Sequence, residues 1–255
     1  MAQLADLGLG AGRSRGRLTL CAEPEEAVLG VDLVQENAPE NVPLKRALYT
    51  RVEAAAPVGA LIASSTSSLV WSDLAEGMAH PGRFVTAHPF NPPHLMPLVE
   101  IFGRDPATVS RAEAFYQDLG RRTVRLRRDA VGHIANRLAS ALWREAVNIV
   151  AEGIADVAEV DAALVHGPGL RWSVVGAHMA YHLGGGPGGM AHYLSHLGPS
   201  QERRWSTLGT PLLTPEVCDL LIAGVTAEAA GRSVAELEAD RDARLIATIK
   251  ARYMS

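Results

Sequence analysis

The residues best suited to acid–base chemistry are His88 and Glu100. His88 follows the apolar run Phe84–Ala87 and opens the Pro-rich segment Pro89-Phe90-Asn91-Pro92-Pro93. Glu100 lies within Leu98-Val99-Glu100-Ile101, an otherwise apolar stretch. A carboxylate in such a stretch is costly unless it is paired. A His88–Glu100 pair would remove that cost. The carboxylate would fix the imidazole tautomer, so that the other ring nitrogen can accept or return a proton. The plainer alternative is a satisfied structural histidine, and the residues alone leave both open.

Two further groups could serve the same chemistry. The run Ser64-Ser65-Thr66-Ser67-Ser68 follows the apolar stretch Leu61–Ala63. Hydroxyls there offer donors and acceptors to a ligand, or simply cap the next helix. Asn136, in Gly132-His133-Ile134-Ala135-Asn136-Arg137-Leu138, sits on an early helical turn. It either projects towards a cleft or belongs to a solvated face.

The elements that must position these residues fall into two textures. Apolar runs at Leu18–Cys21, Val31–Gln35, Leu61–Ser64, Phe84–Ala87, Leu98–Phe102 and Thr123–Leu126 read as strands. Helical patterns at Ala38–Ala56 and Pro106–Leu119 lie between them, with Pro39 suited to a first helical turn. Such alternation predicts an α/β domain with a mostly parallel sheet, whose ligands bind at the carboxyl ends of strands. Beyond residue 128 the strand signal disappears. Val131–Ala151 reads as one long amphipathic helix, followed by helices near Val157–His166, Val174–His182, Gly189–Leu197, Pro215–Ala230 and Val234–Tyr253. The expected division is an α/β domain over 1–128 and an all-helical domain over 129–255.

Composition excludes several classes. The chain has 255 residues, a net charge of −4 and 20% charged residues. No nucleic-acid or anionic-membrane partner is indicated. The basic run Arg121–Arg128 reads as an edge strand with exposed charges, or as an anion subsite. No apolar run approaches the roughly 18 residues of a membrane span, and no secretory signal is visible. Two distant cysteines, Cys21 and Cys218, fit a reducing cytoplasm. His178 and His182, like His192 and His196, share the i, i+4 spacing of helical metal ligands. Neither pair has the accompanying acid, so no metal site is expected.

Taken in order, Ser-Thr-Ser-Ser-Leu, His-Pro-Phe-Asn-Pro-Pro with Leu-Val-Glu-Ile, and Gly-His-Ile-Ala-Asn-Arg-Leu resemble the 3-hydroxyacyl-CoA dehydrogenase family. The segments Gly167–Trp172 and His182–Met190 look like the branch holding L-gulonate 3-dehydrogenase (lambda-crystallin) and carnitine dehydrogenase. The resemblance implies NAD as cofactor and a small 3-hydroxy or 3-keto acid as substrate. By it, His88 is the general base, Glu100 orients His88, and Ser67 and Asn136 hydrogen-bond the reacting oxygen. Glu40, Lys45, Ser67 and Asn91 line the NAD site. Arg171 is a candidate carboxylate clamp, and the helical domain forms a homodimer.

Such an enzyme also uses a first strand, a G-x-G-x-x-G turn and a helix that holds the pyrophosphate. The start, Gly8-Leu9-Gly10-Ala11-Gly12-Arg13, misses that spacing and reads as a loop. The expectation is therefore an incomplete Rossmann-like sheet lacking the first βαβ unit, with NAD binding in question. The first reading is a dehydrogenase whose start is mis-set or truncated, with a real but incomplete site; the two others are a redox-free enzyme using His88 and Glu100 on a β-keto substrate, and a non-catalytic scaffold.

Overall fold

The computed structural model describes residues 17–253. The glycine-rich segment Gly8–Arg13 lies outside the described residues. The chain divides into two compact units that part between Ala139 and Ser140.

In the first unit, five strands run in the order β1 (Leu33–Glu36), β2 (Leu61–Ser64), β3 (Phe84–Pro89), β4 (Leu98–Phe102) and β5 (Arg122–Arg125). All neighbours are parallel except β3 and β4. The connection between those two is too short for a crossover, so the chain turns back on itself. That reversal puts Glu100 directly opposite His88 in the register. β5 is the edge strand expected from its arginines, with mostly exposed side chains.

The sheet is covered on both faces. Along β2 the side chains alternate: Ile62 packs with Tyr49, Val52, Trp71, Leu74 and Phe84, while Leu61 and Ala63 pack with Val85, Ile101, Val109 and Ala112. The first cluster is closed by α2 (Val42–Ala55) and α3 (Trp71–Ala75), the second by α4 (Pro106–Asp118). Gly103 permits close approach where β4 ends, since a Cβ there would lie 2.9 Å from Val85 Cγ1.

Three local differences from the sequence reading have physical causes. Leu18–Cys21 forms no strand, with Leu18 86% and Leu20 88% exposed. A strand needs a neighbour for its main-chain hydrogen bonds, and α1 (Pro24–Ala27) follows instead. Pro39 precedes the helix rather than opening it. The side chain of Asn41 accepts from the Leu44 amide at 2.9 Å, and Pro43 lies in the first turn. The long helix α5 (Ala135–Ala151) starts later than Val131 because Gly132 and His133 both have positive φ, at 72° and 52°.

The elements of the second unit's described residues are all helices joined by loops: the rest of α5, then α6 (Val157–His166), α7 (Pro168–Trp172), α8 (Ala177–Gly184), α9 (Gly189–Trp205), α10 (Pro215–Ala229) and α11 (Val234–Tyr253). α6 opens with a capping box formed by Asp156 and Glu159. The units part inside α5 rather than at residue 128. The first turn of that helix is bound to the sheet through the Ala135 amide and Glu100.

Candidate active site

The site forms where β2, β3 and β4 meet the start of α5. His88 Nδ1 lies 3.1 Å from Glu100 Oε2. Both residues are buried, His88 to 3% and Glu100 to 1% exposure. The other Glu100 oxygen accepts from the amides of Ile134 and Ala135 at 2.8 and 2.9 Å. These are amides at the start of α5, where main-chain donors lack partners within the helix. Burial pushes the Glu100 carboxyl up, but His88 and the two amides outweigh it and hold the group below the usual carboxylate range. An ionised Glu100 requires Nδ1 of His88 to carry the proton. The lone pair is then on Nε2.

The run after β2 supplies a second wall. Glu40 accepts from the Ser67 amide at 2.5 Å, the Ser67 hydroxyl at 3.0 Å and the Thr66 hydroxyl at 2.8 Å. Desolvation opposes its ionisation. The hydrogen bonds from Ser67 and Thr66 prevail, and the carboxyl is held low. Asn136 donates to the Ser67 carbonyl at 3.1 Å, which links the first turn of α5 to this wall. Asp129 fastens the same region by accepting from the Trp71 and Ser72 amides at 2.9 and 2.7 Å. His88, Glu100, Ser67, Asn136 and Glu40 thus form one connected region.

Three other residues named from the sequence lie differently. Lys45 is 1% exposed, and its ammonium is held by Glu36 at 2.8 and 3.0 Å and by the Ala38 carbonyl at 2.8 Å. It supports the Glu40 loop from beneath and presents no donor to a ligand. Asn91 is exposed in the turn after β3. Arg171 is exposed on α7 in the second unit. Among the paired histidines, His182 Nδ1 accepts from the Met190 amide at 3.1 Å, while the rings of His192 and His196 lie 4.1 Å apart.

His133 is the residue the sequence reading missed. It is buried, and its ring stacks on His88 with centroids 5.1 Å apart. The available signal was a histidine in the same motif as Asn136, directly after a glycine.

The arrangement suits proton transfer at an alcohol or ketone oxygen. Its donor set also fits a nicotinamide dinucleotide: the accessible carboxylate of Glu40, the Ser67 hydroxyl and the exposed Asn91 amide match the hydroxyls and amide of such a ligand.

Comparison with known proteins decides the family. The model of the 3-hydroxyacyl-CoA dehydrogenase NAD-binding domain matches residues 10–130, and that of the C-terminal domain matches 132–228. The chain belongs to the 3-hydroxyacyl-CoA dehydrogenase family. It is 48% identical over 251 residues to an L-carnitine dehydrogenase of Streptomyces griseus, covering 97% of this chain and 75% of that one. An L-carnitine dehydrogenase of Pseudomonas putida is 42% identical, with coverage of 96% and 77%. Among solved structures, a 5-formyl-3-hydroxy-2-methylpyridine 4-carboxylic acid 5-dehydrogenase, an NAD+-dependent dismutase, superposes with a TM-score of 0.74 at 25% identity, covering 98% of this chain and 82% of that one. A 3-hydroxyacyl-CoA dehydrogenase of Archaeoglobus fulgidus gives 0.59 at 27% identity, covering 88% and 78%.

The protein is accordingly an enzyme of an NAD-dependent oxidoreductase family that acts on 3-hydroxy compounds. Its sheet and helical domain are those of the family. No helix among the described residues is long and apolar enough to cross a membrane.

Proposed function

We propose that this chain oxidises the 3-hydroxyl of a small hydroxy acid to the ketone, with L-carnitine or a close analogue as substrate. The observation that carries the reading is the buried His88–Glu100 pair, with Ser67 and Asn136 beside it. The identity to L-carnitine dehydrogenases supports the substrate class.

In this reading His88 Nε2 accepts the hydroxyl proton as the carbon–hydrogen bond breaks. Glu100 keeps Nδ1 protonated and stabilises the resulting imidazolium. Ser67 and Asn136 hold the oxygen as it passes from hydroxyl to carbonyl. NAD, when bound, supplies the hydride acceptor. Glu40, Ser67 and Asn91 hold that cofactor, and Lys45 keeps the Glu40 loop in place. Arg171 is the candidate for the substrate carboxylate, which a guanidinium can hold through two parallel hydrogen bonds.

The molecule acts as a homodimer in this proposal. The second unit exposes large apolar side chains that an isolated chain would leave in water, among them Leu183, Leu194, Trp205, Leu212 and Ile222. The cysteines Cys21 and Cys218 are free thiols, as suits a reducing cytoplasm.

The test is a substrate panel followed by nicotinamide absorbance: L-carnitine, D-carnitine, L-gulonate and a 3-hydroxyacyl-CoA, each with NAD. L-Carnitine should give the highest kcat/KM. A preference for the acyl-CoA ester would overturn the substrate assignment. Light scattering should give twice the 27.1 kDa chain mass, and a monomer at working concentration would overturn the dimer.

A further inference from the structure

His133 meets three constraints at once. Its ring is 2% exposed. It lies nearly parallel to His88, with centroids 5.1 Å and planes 27° apart. Its backbone sits at φ 52°, in the left-handed region that a non-glycine residue occupies only when its surroundings over-determine it. The same turn sends the Ile134 and Ala135 amides to Glu100. One short segment therefore orients the acid through its main chain and covers the base with its side chain. Phe90 approaches His88 edge-on, with centroids 6.3 Å apart.

The protonation state of His133 follows from its surroundings. Nδ1 is buried without a hydrogen-bond partner. A proton there would create a buried N–H with no acceptor. Burial holds the imidazole below the ordinary histidine range, and the charge of His88 acts in the same direction. Glu100, the main chain of Ser67 and Asp129 act oppositely without prevailing. A neutral aromatic ring is left against His88.

We propose that His133 is a positioning residue: a neutral aromatic platform that fixes the plane of the His88 ring and supports the positive charge this ring acquires on taking the substrate's proton. A cation is attracted to the face of an aromatic ring, and the attraction is strongest where water is excluded. A platform that itself took a proton would repel His88 at that moment. The role of the platform rests on His88 being the base.

Two variants separate this role from simple filling of space. His133→Phe keeps an aromatic face and cannot titrate. His133→Asn tolerates the positive φ but has no ring. The expected kcat for His133→Phe is close to that of the native chain. His133→Asn should lose about tenfold in kcat, in the range of a desolvated cation–π contact, with KM for NAD and substrate nearly unchanged. Nitrogen-15 NMR of the unliganded full chain gives a reading independent of turnover. His133 should be neutral at pH 7, and the His88 ring protons should carry a stacking shift that persists in His133→Phe and vanishes in His133→Asn. Native kcat in His133→Asn would overturn the proposal. So would equal loss in both variants, or a protonated His133 at pH 7. Failure of the base assignment is distinguishable, because it appears as retained turnover in a His88 variant.

Discussion

Two buried pairs of acid and base lie in the first unit, one at the end of β1 and one across β3 and β4, and only one is built for chemistry. Glu36, at the end of β1, accepts from Lys45, from the Tyr49 hydroxyl at 2.5 Å, from the Ser64 hydroxyl at 2.8 Å and from the Ala38 amide. Its oxygens are committed to ligands within the fold. Burial and the hydrogen bond to Glu36 push the Tyr49 hydroxyl far above its ordinary range, so it remains a donor. His88 and Glu100 are equally buried. There, however, the acid is saturated by one imidazole nitrogen and two amides, which leaves the second imidazole nitrogen for a substrate. A saturated cluster supports structure, whereas a cluster with one open position is a site.

The contrast breaks first at Lys45. Lys45→Met leaves Glu36 buried without its cation, which should cost about 3–5 kcal/mol of unfolding free energy in urea titration. Normal stability with a raised KM for NAD would instead make Lys45 a ligand-binding residue. Next comes Glu100→Gln, which removes the group that fixes the His88 tautomer. Its kcat should fall about 10²-fold, the low end of a general-base contribution, with KM little changed. The variant should also lose a pH dependence. Because the folded-state pKa of Glu100 is depressed, its stabilising effect is complete above the unfolded value of about 4.3 and lost as pH falls through the folded value. Melting temperatures of the variant should therefore decline less below pH 4.3 than those of the native chain.

The smallest expected effect concerns His133. Its lowered pKa means that the unfolded chain takes up a proton near pH 6.5 that the folded chain refuses. Stability should therefore begin to fall as pH drops below about 6.5, and His133→Phe should flatten that part of the curve. An unchanged melting profile would show that His133 titrates alike in both states.

Much of this framework was legible in the residues. β2, β4, α6 and α11 occupy the spans that periodicity indicated. The His88–Glu100 pairing was suggested by the cost of an acid in an apolar strand, and the antiparallel return of β4 sets the two residues opposite each other. Short helices such as α3 and α7, of five residues each, hold too few turns to show a helical period. The spacing of Glu40 and Lys45 did not separate their environments. Glu40 meets Ser67 and Thr66 at the surface, while Lys45 points inward to Glu36. The role of His133 depends on a backbone angle and on a stack across sequence-distant segments, neither of which local patterning encodes.

The mechanism turns on His88 as the base of an NAD-dependent alcohol oxidation. It is tested most directly by single-turnover oxidation of L-carnitine with saturating NAD, comparing the native chain with His88→Gln at equal folded concentration. The rate of nicotinamide reduction should fall about 10³-fold or more, with the fold and NAD affinity retained. A His88→Gln chain that reduces NAD at the native rate would contradict it.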